Sequence, residues 1–289
     1  MTITAGIDVG STYTKVVLLD DDAQTIGRAL LRTGYKPGDA AEEGLVSALA
    51  DAGIDRDSIG YVVATGYGRF QVAFSQVNVT ELTAAAWGAH AMFPGTRTIL
   101  DVGGQAVKAS RIDASRQVKS FRLNEKCAAG TGAFLEKTAR YMGFGTEEIG
   151  PLAATSSVVV PISGVCTVFA EAEVINHLSQ GIAPADIMHG AIVSLVGKSV
   201  QLMKRVKMEP EVTLIGGIMR FPTMVSAIRE MLAVDVNVPA GDLVQFVSAL
   251  GAGTLAQHRV RRLAEQAMPG AHQPAHQPAR AGSVGARAS

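Results

Sequence analysis

A chain of 289 residues can bury a core large enough for one large domain or two smaller ones. Its 26 Lys and Arg balance 26 Asp and Glu, which leaves no basic stripe for nucleic acid and no acidic tail. No stretch reaches the ~20 apolar residues of a membrane span, and the start "MTITAGIDVG" lacks a signal peptide's charged and apolar regions, so a cytoplasmic protein without membrane or nucleic-acid partners is expected.

In chain order, "ITAGIDVG" reads as a strand running into a tight corner, and "STYTKVVLLDDDAQTIGRALLRTG" continues with the apolar alternation of a hairpin that buries one face. A helix over about 38–52, a strand "IGYVVATGYGR" and a helix "TELTAAAWGAHAM" follow. A second copy then begins near residue 98 as "TILDVGGQAVKASRIDASRQVKSFRLN". Asp8, Gly10, Lys15 and Asp20 are each matched 93 residues later by Asp101, Gly103, Lys108 and Asp113. Four matches in one register point to a duplication. Beyond it lie two helices, one after each cysteine, a long helix over about 185–207, the strand "EVTLIGG", a helix over about 220–232 and a closing helix in "LVQFVSALGAGTLAQHRVRRLAEQ". The pattern predicts an α/β protein with two related domains, residues 1–95 and 96–262, around a cleft. Residues 263–289 carry a repeated AHQP and no apolar period; they read as a disordered tail in which His272 and His276 ligate nothing.

A corner of glycine and small hydroxyl residues lets backbone N–H groups approach phosphate oxygens, and an aspartate beside it can hold a hydrated Mg²⁺. Two corners of this kind occur: Asp8, Gly10, Ser11, Thr12, Tyr13, Thr14 and Lys15 in the first copy, and Asp101, Gly103, Gly104 and Gln105 in the second. Together they resemble the phosphate loops of the actin, sugar-kinase and heat-shock-ATPase superfamily, and the resemblance covers roughly residues 1–262. It implies a duplicated actin-like ATPase fold that binds ATP and Mg²⁺. In "ELTAAAWGA" it makes Glu81, with Asp101, the candidate catalytic group, Glu81 positioning the attacking water. In "TLIGGIMRFP" it places an adenosine-binding turn at Gly216, Gly217 and Met219, and in "QFVSALGAGTLA" a second connecting helix preceded by Gln245. Lys15 reads as a phosphate contact. "TGYGR", Thr65 to Arg69, reads only as a strand-to-loop exit.

The chain has two cysteines, and both stand in glycine turns ahead of helical runs. Cys127 lies in "NEKCAAGTGAFLE", where Gly130, Thr131 and Gly132 are expected to leave free N–H groups that stabilise an anion or thiolate. Cys166 lies in "PISGVCTVFAEAEVINHL", ahead of the stripe Val168, Phe169, Ala172, Ile175 and Leu178, with Glu171 and Glu173 on a solvated or interface face. In a reducing compartment such thiols are free, redox-active or metal-bound; a small buried hydrophobe is the plain alternative. Together with "VVATGYGR", these segments resemble the ATP-dependent activators of 2-hydroxyacyl-CoA dehydratases and the ATPase subunits of benzoyl-CoA reductases. That resemblance, leaning to the benzoyl-CoA reductase type, implies a homodimer or a heterodimer with a related subunit. By the same resemblance the two chains are expected to share one 4Fe-4S cluster through Cys127 and Cys166, reduced by a ferredoxin or flavodoxin and passing electrons to an acyl-CoA reductase or dehydratase. A cubane takes four thiolates and two chains supply four; a bridging zinc satisfies the same count. A small-molecule kinase or a chaperone-like or filament-forming ATPase of the same fold would leave the cysteines incidental, and iron content separates these readings.

Overall fold

The duplication is one of structure as well as sequence. The computed structural model describes residues 2–124, 130–163 and 167–267. In the first half, β1 (Ile3–Val9), β2 (Tyr13–Leu19) and β3 (Thr25–Arg32) form an antiparallel meander, and β4 (Ile59–Thr65) and β5 (Val77–Asn78) extend it in parallel, in the order β3-β2-β1-β4-β5. The second half repeats this with β6 (Thr98–Val102), β7 (Val107–Ile112), β8 (Val118–Asn124), β9 (Val212–Ile215) and β10 (Val236–Asn237), in the order β8-β7-β6-β9-β10. Strand β1 is buried at every residue, as a central strand covered on both faces must be.

The 93-residue register has a local cause at each matched position. Asp8 stands directly opposite Lys15 across β1 and β2, and Asp101 directly opposite Lys108 across β6 and β7. Asp20 Oδ1 accepts the backbone N–H groups of Asp22 and Gln24, and Asp113 Oδ1 those of Ser115 and Gln117, closing the two hairpins by the same aspartate turn. Both turns place their next residue but two, Ala23 and Arg116, in the left-handed region at φ 63° and 65°.

Helix α1 (Pro37–Ala52) covers the first sheet, and α2 (Glu81–Met92) opens on Thr80, whose hydroxyl accepts the Thr83 N–H. In the second half, α3 (Gly132–Tyr141), α4 (Ile149–Ala154), α5 (Thr167–Ser179), α6 (Pro184–Arg205) and α7 (Pro222–Leu232) build the larger core, centred on Ile187, Met188, Ile192, Leu195 and Val196 of α6. The short α4 is not expected from the sequence. It spans too few residues to show an apolar period, and the Glu148 carboxylate organises the turn before it by accepting the Gly145 N–H. Helix α5 forms where the spacing predicts, yet of its apolar stripe only Leu178 packs on the core; Ala170 and Val174 are the buried residues, while Val168 and Phe169 are 68% and 64% exposed. Glu171 and Glu173 do not form a solvated face, because Glu171 pairs with Lys137 and Tyr141 of α3 and Glu173 accepts the Ser163 N–H.

The last helix of each half serves the other half's sheet. Ala85, Ala86 and Ala89 of α2 pack on Ile99, Ile112 and Ile215 of the second sheet, whereas Ala249, Ala252 and Ala256 of α8 (Val247–Ala267) pack on Val17, Leu19 and Val63 of the first. A boundary near residue 95 therefore divides the two sheets but leaves α2 and α8 each packed on the sheet of the other half. Where α2 and α8 cross, their backbones touch: a Cβ on Gly251 would lie 1.9 Å from the Ala84 carbonyl oxygen, and one on Gly88 would lie 1.9 Å from that of Val247. No helix among the described residues is long and apolar enough to cross a membrane.

Substitution Gly251→Val cannot be absorbed by a flexible neighbour, since the obstacle is main chain. Overpacking of this kind costs about 1–3 kcal/mol. The expected result is a fall of that size in unfolding free energy by urea titration, with most of the strain relieved by separating α2 from α8.

Candidate active site

The two Asp-x-Gly corners end the matching central strands of the two sheets and face each other across a cleft of about 570 Å³. Each corner is closed by one backbone bond, Gly10 N–H to Tyr13 C=O at 3.1 Å and Gly103 N–H to Ala106 C=O at 2.9 Å. The corners are close: a Cβ on Gly104 would lie 2.6 Å from Thr12 Oγ1. Asp8, Gly10, Ser11, Thr12, Tyr13 and Lys15 line the cleft on one side, and Asp101, Gly103, Gly104 and Gln105 on the other. Glu81 enters from the first turn of α2, and Gly216, Gly217 and Gln245 join the lining. Two of the expected binding residues are not part of it. Thr14 is buried, its hydroxyl bonded to that of Thr33, and Met219 sits in the core of the second half.

Gly216 has φ +100°, and a Cβ there would lie 2.4 Å from the Val102 carbonyl oxygen and 2.7 Å from Asp101 Oδ1. Only glycine fits. Gly66 is its counterpart in the first half, with φ +90° and the same approach, 2.4 Å to the Val9 carbonyl oxygen and 2.6 Å to Asp8 Oδ1. This accounts for "TGYGR": Thr65 and Gly66 end β4 as Ile215 and Gly216 end β9, so each parallel strand stops against the aspartate corner beside it. Gly217 adjoins Gln245, which groups the glycine turn with the entry to α8.

Three carboxylates and two ammonium groups meet on the cleft floor. Lys15 Nζ lies 3.1 Å from Asp8 Oδ2, while Lys108 Nζ lies 3.4 Å from Asp101 Oδ2 and 3.2 Å from Glu81 Oε1. Burial pushes the Glu81 carboxyl above its ordinary range; Lys108 opposes that shift and Asp8 and Asp101 add to it. Burial works against the charge on Lys108, but Asp101, Glu81 and Asp8 outweigh it and hold the ammonium well above the usual lysine range. Lys108 is not among the expected site residues, although its position 93 residues after Lys15 marks it. Arg220, paired with Glu147 at 2.7 Å, also lines the cleft and has no signal in the sequence.

The N–H groups at the start of α3 are not free, contrary to expectation. Gly132 N–H donates to Gly103 C=O at 3.0 Å and Ala133 N–H to Gly104 C=O at 2.8 Å. Helix N-termini need such acceptors, and here the second corner supplies them. Cys127, Cys166, His272 and His276 lie outside the described residues. Among the described residues no cluster of three His, Cys, Asp or Glu has the arrangement of a metal site.

Paired aspartates beside glycine corners suit a hydrated Mg²⁺ on a triphosphate, and a Cβ at Gly104 would close the narrow gap between its corner and the Thr12 side chain of the other. Comparison with known proteins agrees. The sequence model of the BadF/BadG/BcrA/BcrD ATPase family matches residues 5–256. Over 259 residues the chain is 36% identical to the activator of lactoyl-CoA dehydratase of Anaerotignum propionicum, covering 90% of this chain and 99% of that protein. It is 32% identical over 277 residues to a benzoyl-CoA reductase subunit of Thauera aromatica, covering 92% and 98%. The activator of 2-hydroxyisocaproyl-CoA dehydratase from Clostridium difficile, solved with bound ADPNP, superposes with a TM-score of 0.87 at 33% identity, covering 92% of this chain and 98% of that one.

Asp8→Asn and Asp101→Asn should each weaken Mg²⁺-dependent nucleotide binding by about tenfold or more, ~1.4 kcal/mol, and lower turnover with it. Titration with a non-hydrolysable ATP analogue, with and without Mg²⁺, measures this. Equal affinities in wild type and variants would remove the aspartates from the metal.

Proposed function

The chain belongs to the BadF/BadG/BcrA/BcrD ATPase family, and on that premise we propose that it hydrolyses ATP to drive single electrons at low potential into an acyl-CoA dehydratase or reductase. Asp8 and Asp101 hold the hydrated Mg²⁺, Lys15 contacts phosphate, Glu81 orients the attacking water, and Gly216, Gly217 and Gln245 receive the adenosine. The observation that carries the reading is the pair of hydrogen bonds from α3 to Gly103 and Gly104. A change at the second corner on nucleotide binding or hydrolysis reaches the helix that follows Cys127 through two backbone bonds, with no side chain between.

A 4Fe-4S cluster, held by Cys127 and Cys166 from each of two chains, would supply the one-electron carrier. After Cys166, α5 leaves the apolar residues Val168, Phe169 and Ile175 exposed, which supports the association of two chains that this ligand count requires. Identity favours a 2-hydroxyacyl-CoA dehydratase as acceptor, at 36% to one activator against 32% to the benzoyl-CoA reductase relative. The reductase type is the second reading, because this chain covers 98% of that relative. Assay of electron delivery to each catalytic component decides between them.

Glu81→Gln should bind ATP normally and lose ~10² to 10⁴ in hydrolysis rate, the usual contribution of general-base positioning. Near-normal turnover would mean that α2 does not carry the water-orienting group.

Cys127→Ser, purified without oxygen beside the wild type, should show near-zero iron, a weakened dimer by sedimentation and no electron delivery, with ATP binding retained. A wild-type dimer free of iron would overturn the shared cluster, and zinc in its place would reveal the bridging alternative.

A further inference from the structure

Lys108 has no part in the hydrolysis proposed for the cleft, yet it is the most heavily committed cation there. Its side chain is 14% exposed, and its ammonium bridges two acidic groups that arrive from different elements, Asp101 from β6 and Glu81 from α2. Lys15, its counterpart in the first half, has the same opposing aspartate and, among the described residues, no second carboxylate in ion-pair contact. The difference lies in the helices. Helix α2 begins with Glu81, whereas α8, its equivalent, begins with Val247 and Ser248. The duplication therefore made two Asp–Lys pairs, and only the second was extended to a helix-borne carboxylate.

A glutamate side chain at the open end of a helix has three rotatable bonds, and a ~1 Å misplacement of a reacting group costs on the order of 10²-fold in rate. The Asp101–Lys108 pair is rigid by comparison, because both residues stand directly opposite in a hairpin ladder. We infer that Lys108 is a positioning residue for hydrolysis, tying Glu81 Oε1 to the strand ladder so that Oε2 is presented to the water. This rests on Glu81 as the water-orienting group. Loss of an interaction that matters only in the transition state lowers kcat and kcat/KM together and leaves substrate binding in place, so the effect falls on kcat.

The test is a double-mutant cycle with Lys108→Met and Glu81→Gln in the full chain, reading kcat, KM for ATP and the affinity for a non-hydrolysable imidodiphosphate analogue. Lys108→Met should lower kcat about 10- to 100-fold and leave KM and analogue affinity within about threefold. Added to Glu81→Gln it should lower kcat no further, since there is then no water-orienting carboxylate to position. A double variant about tenfold or more slower than Glu81→Gln alone would overturn the inference, because Lys108 would then act on phosphate or on the fold directly. So would Lys108→Met with wild-type kcat. Near-normal kcat in Glu81→Gln is a different outcome, which removes the premise and the inference together. If Lys108→Met does not fold, Lys108→Gln, which keeps a polar terminus without the charge, takes its place in the same cycle.

Discussion

The crossing of α2 and α8 is the constraint on which the cleft depends. With Gly88 and Gly251 at the contact, the two helices meet main chain to main chain, and each packs on the sheet built by the opposite half of the sequence. The two sheets are thereby held so that the C-terminal ends of β1 and β6 point at one space, which is where open α/β sheets place their ligands. A larger residue at either glycine would push the helices apart. The aspartate corners would separate with them, although neither glycine lines the cleft.

The second consequence is electrostatic. The cleft floor holds three carboxylates against two ammonium groups before any ligand arrives. Desolvation opposes each charge in such a group: it raises the Glu81 carboxyl, whereas at Lys108 the neighbouring carboxylates outweigh it. A divalent cation bound to a nucleotide changes the balance, adding positive charge beside the aspartates and negative charge beside the lysines. The fold thus holds these charges at one place, where Mg²⁺ would add positive charge beside the aspartates and phosphate negative charge beside the lysines.

Much of this is legible in the residues, for identifiable reasons. Strand register repeats every two residues and hairpin turns demand particular side chains, so a duplicated hairpin leaves Asp8, Gly10, Lys15 and Asp20 and their partners in the text at a fixed offset. The glycine turn of the second half is legible because it reads Gly216-Gly217; its counterpart is not, because the first half keeps one glycine and replaces the next residue by Tyr67. Lys108 stands in the repeat without announcing its role, since a lysine in a hairpin is ordinarily a surface residue and only the arrival of Glu81 from α2 makes it part of the site. The acceptors for the α3 N–H groups, 29 residues upstream, have no sequence signature at all. For α5 the period is right and the face is reversed: an apolar stripe states that something covers it, not that the same chain does.

That stripe and the α3 bonds bear on how ATP energy could reach an electron. For a one-electron couple ~59 mV corresponds to ~1.4 kcal/mol, so depressing a potential by roughly 300 mV requires ~7 kcal/mol. The two bonds from α3 to Gly103 and Gly104 are worth about 0.5–1.5 kcal/mol each. They are too weak to store that energy, but they tie the start of α3 to the second corner. If the chain drives electrons as proposed, the larger share has to come from contacts formed and broken by the nucleotide itself and from docking of the acceptor, against the ~1–3 kcal/mol of ordinary coupling between sites. Because both bonds run main chain to main chain, they link α3 to the position of the corner and involve none of the charged side chains of the cleft.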